Sequence, residues 1–157
     1  MIEPEEIIEA KLVALLAAAL PDVDVIGALS PVPEGEQKLS PDTYVSVFVD
    51  QSGQPYWGNE AVVPFEFTAR VNVRFANADD KTGAGFRDAC RAVRAVLDAL
   101  RQTHCTAFTD AGFICDALRV ESTSTVPLLS GDNGGMSKTY NVSLTGRPTE
   151  DTTQEGD

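Results

Sequence analysis

Between Val62 and Ala76 the residues Phe65, Phe67, Ala69, Val71, Val73 and Phe75 alternate with Glu66, Thr68, Arg70, Asn72 and Arg74. Only a period of two places all of these apolar residues on one face. One face is then buried and the other wet, as in an antiparallel sheet. Thr43–Val49 (TYVSVFV) is rich in β-branched and aromatic residues and predicts a second strand. A shorter strand-like piece holds Val23 and Val25 between aspartates and ends at Gly27. Ala117–Thr125 and Thr139–Thr145 predict two more strands, with Leu118, Val120, Tyr140, Val142 and Leu144 pointing inward.

A different period governs the start of the chain, where Ile8, Leu12, Leu15, Leu16 and Ala19 recur at helical spacing. Pro4 suits a first helical turn, Glu5 and Glu6 complement the helix dipole there, and Pro21 stops the run, so a helix is expected over Pro4–Leu20. A second helix is expected after the turn Asn77–Gly83, running to about Gln102. Its core stripe is Phe86, Cys90, Val93, Leu97 and Leu100, widened by Ala89 and Val96. Gly and Pro punctuate Ser30–Pro41 and Gln51–Asn59, which predict loops, and Pro127–Ser137 (PLLSGDNGGMS) predicts a long mobile connection between the last two strands. This order predicts an α+β fold: a mainly antiparallel sheet of four to five strands with two helices packed on one face. Residues 1–147 form the expected single domain; residues 148–157 are polar, acidic and aperiodic, and predict a disordered tail. No internal repeat is visible.

At 157 residues the chain suits one domain, and one of this size buries roughly 68–70% of its unfolded surface without metal or disulfide. No apolar run approaches the ~20 residues of a membrane span, and the glutamates ahead of Leu12–Leu20 are the reverse of a signal peptide's basic start. With three cysteines (Cys90, Cys105, Cys115) in no framework spacing, a reducing compartment is expected. The net charge is −12, unevenly spread: residues 1–69 hold 12 acids and 2 bases, residues 70–145 hold 8 acids and 9 bases. So acidic a chain repels phosphates at long range, against a role in gripping nucleic acid, and the asymmetry between halves points to a partner surface.

Candidate chemistry is sparse. His104, Cys105 and Cys115 lie in one uneven segment, short of the four closely paired ligands of a structural zinc site. Ser130–Gly135 lacks the Gly-Lys-Ser/Thr ending of a phosphate loop and the alternating carboxylates of a calcium loop. His104 has no nominated nucleophile, and Gly-x-Ser-x-Gly does not occur. No catalytic, cofactor or metal residue is therefore nominated, and no enzymatic activity is expected; carboxylate pairs that meet only in the fold lie beyond sequence reading. Contact surfaces are easier to nominate. Arg87, Arg91, Arg94 and Arg101 fall on one line of the second helix, roughly 120° from its core stripe. They are either a solvated charged edge or a surface facing the acidic first half of a neighbouring copy, where arginine's planar fork pairs well with carboxylates. Leu128, Leu129 and Met136 sit among glycines in a segment expected to order against a partner, and Tyr56 and Trp57 lie in a long turn or flap.

An N-terminal helix, a TYVSVFV strand, a long EFTARVNVRF strand, a GFRDACRAVRAVLDAL helix and two last strands resemble, over residues 4–147, the tail terminator and tail-completion (head–tail joining) proteins of long-tailed bacteriophages. The resemblance lies in element order and strand texture. It implies a structural subunit of a ring, commonly a hexamer, that terminates the tail tube and meets the head connector, needing no cofactor. It also implies a place in the virion tail, assembly in the bacterial cytoplasm, contact surfaces at the flap of Tyr56 and Trp57 and the loop of Leu128 to Met136 that order on assembly, and a negative wall past which DNA slides without specific binding. The charge of the first half supports a second expectation: an acidic inhibitor or immunity-type protein that covers a basic partner surface.

Overall fold

The computed structural model describes residues 3–27, 43–53, 65–75, 84–130 and 133–149. Helix α1 (Pro4–Ala19) has Pro4 at its start and Glu5 and Glu6 in its first turn, and Leu20 closes it by donating its N–H to the Leu16 carbonyl at 2.9 Å. Strands β1 (Asp24–Gly27), β2 (Thr43–Gly53) and β3 (Phe65–Phe75) follow. Helix α2 (Ala84–Ala107) is broken at Thr103, whose φ of −119° is not helical. A single 3₁₀ turn (Thr109–Ala111) leads through Gly112, at φ 94°, into β4 (Phe113–Ser130) and β5 (Asn133–Pro148). Positive φ is the conformation glycine adopts at least cost, and it turns the chain from the end of α2 into the sheet.

The strands form one sheet in the order β1-β2-β3-β5-β4. β1 runs parallel to β2, and every other neighbouring pair is antiparallel. The fold is thus α+β, with two helices on a five-stranded, mainly antiparallel sheet. Register aligns apolar residues across the sheet: Val47 faces Val71, Val71 faces Tyr140, Ala69 faces Val142, and Leu144 faces Leu118. That face packs against Ile8, Leu12 and Leu16 of α1 and Phe86, Val93, Leu97 and Leu100 of α2 in one core. The period-two reading of β3 holds through Phe75, with Phe67, Ala69, Val71 and Val73 fully buried and Phe65 at the margin. The expected α2 stripe is buried as read, with Val96 partly so.

The segment Pro127–Ser137 departs from expectation. In place of a long loop, β4 continues to Ser130 and β5 begins at Asn133, with Leu128 paired to Gly135, Leu129 to Gly134 and Ser130 to Asn133. Local propensity disfavours strand here, but an antiparallel partner already in register supplies the missing hydrogen bonds, and context overrides propensity. β2 is also longer than read, taking in Gln51–Gly53 with an irregularity between Gln51 and Gly53. The expected loop Ser30–Pro41, the rest of the Gln51–Asn59 turn and the acidic tail beyond Thr149 lie outside the described residues.

Candidate interaction surfaces

Among the described residues one face of the sheet is covered by the helices and the other, open face is not, although Ser46 on it is buried. On the open face stand Phe48, Asp50, Thr68, Arg70, Asn72, Thr139 and Ser143, since directly opposed residues share a face. Asn72 donates through its side-chain amide to Ser137 Oγ at 2.7 Å and Thr139 Oγ1 at 2.8 Å, and Arg70 meets Asp50 at 2.8 Å. Phe48 is 46% exposed. The TYVSVFV pattern held this signal: Val45, Val47 and Val49 claim one parity, so Phe48 must take the other.

On the helical side, Arg87, Arg91, Arg94 and Arg101 all lie exposed on α2, as the helical spacing required. Arg91 pairs with Asp88 at 3.2 Å in the open, a contact worth about 0–1 kcal/mol. Arg94 leans back over the ring of Tyr140, 5.5 Å from its centroid, and Lys138 lies 5.3 Å from the same ring. Tyr140 is fully buried and donates its hydroxyl hydrogen to the Cys90 carbonyl at 3.0 Å, fastening α2 to β5. Burial pushes its phenol well above the ordinary tyrosine range, and it raises the Cys90 thiol too. Cys115 is pushed up to about 11, chiefly by burial. Such thiols are poor nucleophiles. Sequence reading placed Tyr140 in the core without foreseeing its hydroxyl bond or the cation above it, because both depend on which turn of α2 crosses β5.

β4 forms an edge of the sheet, and Glu121–Thr125 are exposed. Two bulges, at Cys115/Ala117 and Val120/Ser122, and Pro127 interrupt this edge. Such devices discourage a further strand from pairing there. Among the described residues the β3 ladder ends at Phe75–Met136, whereas β4 and β5 stay paired out to Ser130–Asn133. Among the described residues the hairpin therefore outruns the sheet as a two-stranded arm. Met136, at its root, is 38% exposed, and Leu128 and Leu129 belong to the arm's ladder. Because Phe75 contacts Phe86 near the start of α2, the arm and Arg87 share one end of the molecule. Tyr56 and Trp57 lie outside the described residues.

His104 lies past the kink of α2, its Nδ1 3.0 Å from the Arg101 carbonyl and its Nε2 3.1 Å from the Asp116 carbonyl. Cys105 is exposed and Cys115 buried, and the two do not group with His104 as metal ligands. Among the described residues no three His, Cys, Asp or Glu side chains group as metal ligands, and no helix is long and apolar enough to cross a membrane. Two shallow grooves flank Lys11. One, of about 370 Å³, lies between α1 and α2 and is lined by Leu15, Val96, Ala99 and Leu100; the other, of about 340 Å³, is lined by Glu6, Ile7, Ala10, Ala14 and Ala111.

No family model matches the chain, and no curated protein matches it. Among solved structures the chain is similar to one from the virion of a native gene transfer agent (GTA) particle, at 17% identity and a TM-score of 0.43, over 84% of this chain and 85% of that one.

Proposed function

We propose that the chain is a structural subunit of a phage or prophage tail, forming a ring that terminates the tail tube and joins it to the head connector. The reading starts from the resemblance in element order and strand texture. The observation that carries it is the β4–β5 arm. A two-stranded hairpin standing alone in water is marginal at best, so an arm extended past its own sheet gains most where another subunit covers it. Arg87 and Arg91, exposed near the start of α2, give a second contact surface at the same end. Contact between different patches on successive copies is heterologous and closes into a ring when the rotation allows. In this role the protein works in the virion tail through protein contacts, and its negative charge lets DNA pass unheld.

The test is a size measurement by light scattering at raised protein concentration, with and without purified tail tubes. A ring in solution, or one formed on the tube end, is the expected result. A monomer that ignores the tubes would overturn the reading. So would a one-to-one complex with a basic partner and no self-association, the behaviour of an acidic inhibitor.

A further inference from the structure

Charge is unevenly spread along the helical layer, with Glu3 and Glu6 toward one end and Arg87 and Arg91 toward the other, although Lys11 and Arg101 lie toward the acidic end and Asp88 and Asp98 among the arginines. α1 runs antiparallel to α2: Ile7 and Ala10 lie beside Ala111, Lys11 bridges to Asp110 at 3.2 Å, and Leu15 lies beside Val96, Ala99 and Leu100. The exposed carboxylates of Glu3 and Glu6 therefore sit at the far end of α2, past Ala107. Arg87 and Arg91 sit near its beginning. From Arg91 to Ala107 the helix rises roughly 24 Å at 1.5 Å per residue, about three Debye lengths at physiological salt. Glu3 and Glu6 therefore do not reach Arg87 or Arg91 within a single chain, and the contact of Arg91 with Asp88 at 3.2 Å is exposed and weak enough to exchange for another carboxylate.

We propose that Glu3 and Glu6 of one copy dock on Arg87 and Arg91 of the next, head to tail, as the contact that links subunits. This rests on the assembly reading above and names the partner surface. Apolar surface matches as well as charge: beside Glu6 lies the groove of Ile7, Ala10, Ala14 and Ala111, and beside Arg91 stand the exposed Ala95 and Ala99. Small side chains on both sides let two helices approach closely, and carboxylates meet guanidinium forks at the rim. A second copy suits this surface because each copy carries both halves at opposite ends.

The experiment uses two charge-reversed variants of the full chain, Arg87→Glu with Arg91→Glu, and Glu3→Lys with Glu6→Lys. Their folds are checked by circular dichroism. Each alone should weaken assembly about tenfold or more, on tube ends or in solution. Mixed in equal amounts, they should assemble again, since the acidic α2 of one meets the basic α1 of the other and the reverse. Rising salt should weaken the wild-type contact. If the wild type assembles and neither variant is impaired, or if both are impaired and mixing restores nothing, the docking proposal is overturned while the assembly reading stands. If the wild type neither self-associates nor binds tubes, both fall.

Discussion

Replacing Tyr140 with phenylalanine removes a single oxygen from the bolt between sheet and helix. The ring is fully buried and keeps its packing, and Arg94 keeps an aromatic face. What is lost is the hydroxyl bond to the Cys90 carbonyl. That carbonyl lies inside α2 and retains its helical partner four residues on, so no buried acceptor is stranded. The expected cost is that of one neutral hydrogen bond, about 1 kcal/mol, or roughly 2–4 °C in Tm for a chain of this size. Truncation to alanine should instead cost about 3–5 kcal/mol, as for other large aromatic rings lost from cores. Urea titration followed by circular dichroism measures both. The phenol also gives the first substitution a signature in pH. Its pKa is raised in the folded state, so the fold favours the neutral form; that stability is complete below the ordinary value of about 10 and drains away as pH rises through the folded value. The phenylalanine variant should lose less stability than the wild type above that pH. A cost of 3 kcal/mol or more for Tyr140→Phe, or an unchanged alkaline slope, would refute the account of Tyr140 as a hydrogen-bonded, neutral bolt.

Gly146→Ala should destabilise by about 1–3 kcal/mol or more, because a methyl group there meets the Ile114 carbonyl and approaches the Phe113 ring to 2.6 Å; an unchanged urea midpoint would contradict the tight crossing at this bulge. Of the three thiols, Cys105 alone should react quickly with a disulfide reagent in the folded protein, and rapid labelling of Cys90 or Cys115 would contradict their burial. Cys115 adds an alkaline component of its own: its stabilising contribution, present below about pH 9, should be lost as the pH climbs to about 11, and Cys115→Ala should flatten that part of the profile.

The segments that could be read directly were those whose local pattern and tertiary role agree. β3 alternates because one sheet face is covered and one is wet, and α2 carries its stripe because only one side meets the sheet. α1 was located by its proline and glutamates together with the helical spacing of Ile8, Leu12 and Leu16, although alanines continue the apolar character round to its exposed side, at Ala10, Ala14 and Ala17. The arginine row was legible because helical spacing alone sets which residues share a line. Its acidic counterpart was only half legible: the sequence has an acidic first half, but only the antiparallel packing of α1 on α2 sets Glu3 and Glu6 at the opposite end from Arg87.

Sequence by itself determined the two helices, the strand texture, the inward parity of β3, β4 and β5 and the absence of nucleophile or zinc signatures, because these follow from periods and spacings within one segment. Tertiary structure alone decided the sheet order, the parallel pairing of β1 with β2, the Tyr140–Cys90 bond and the extension of β4 and β5 into an arm. Each of these depends on which distant backbone supplies a hydrogen-bond partner. For PLLSGDNGGMS the neighbouring strand outweighed the local preference of glycine and proline for a loop.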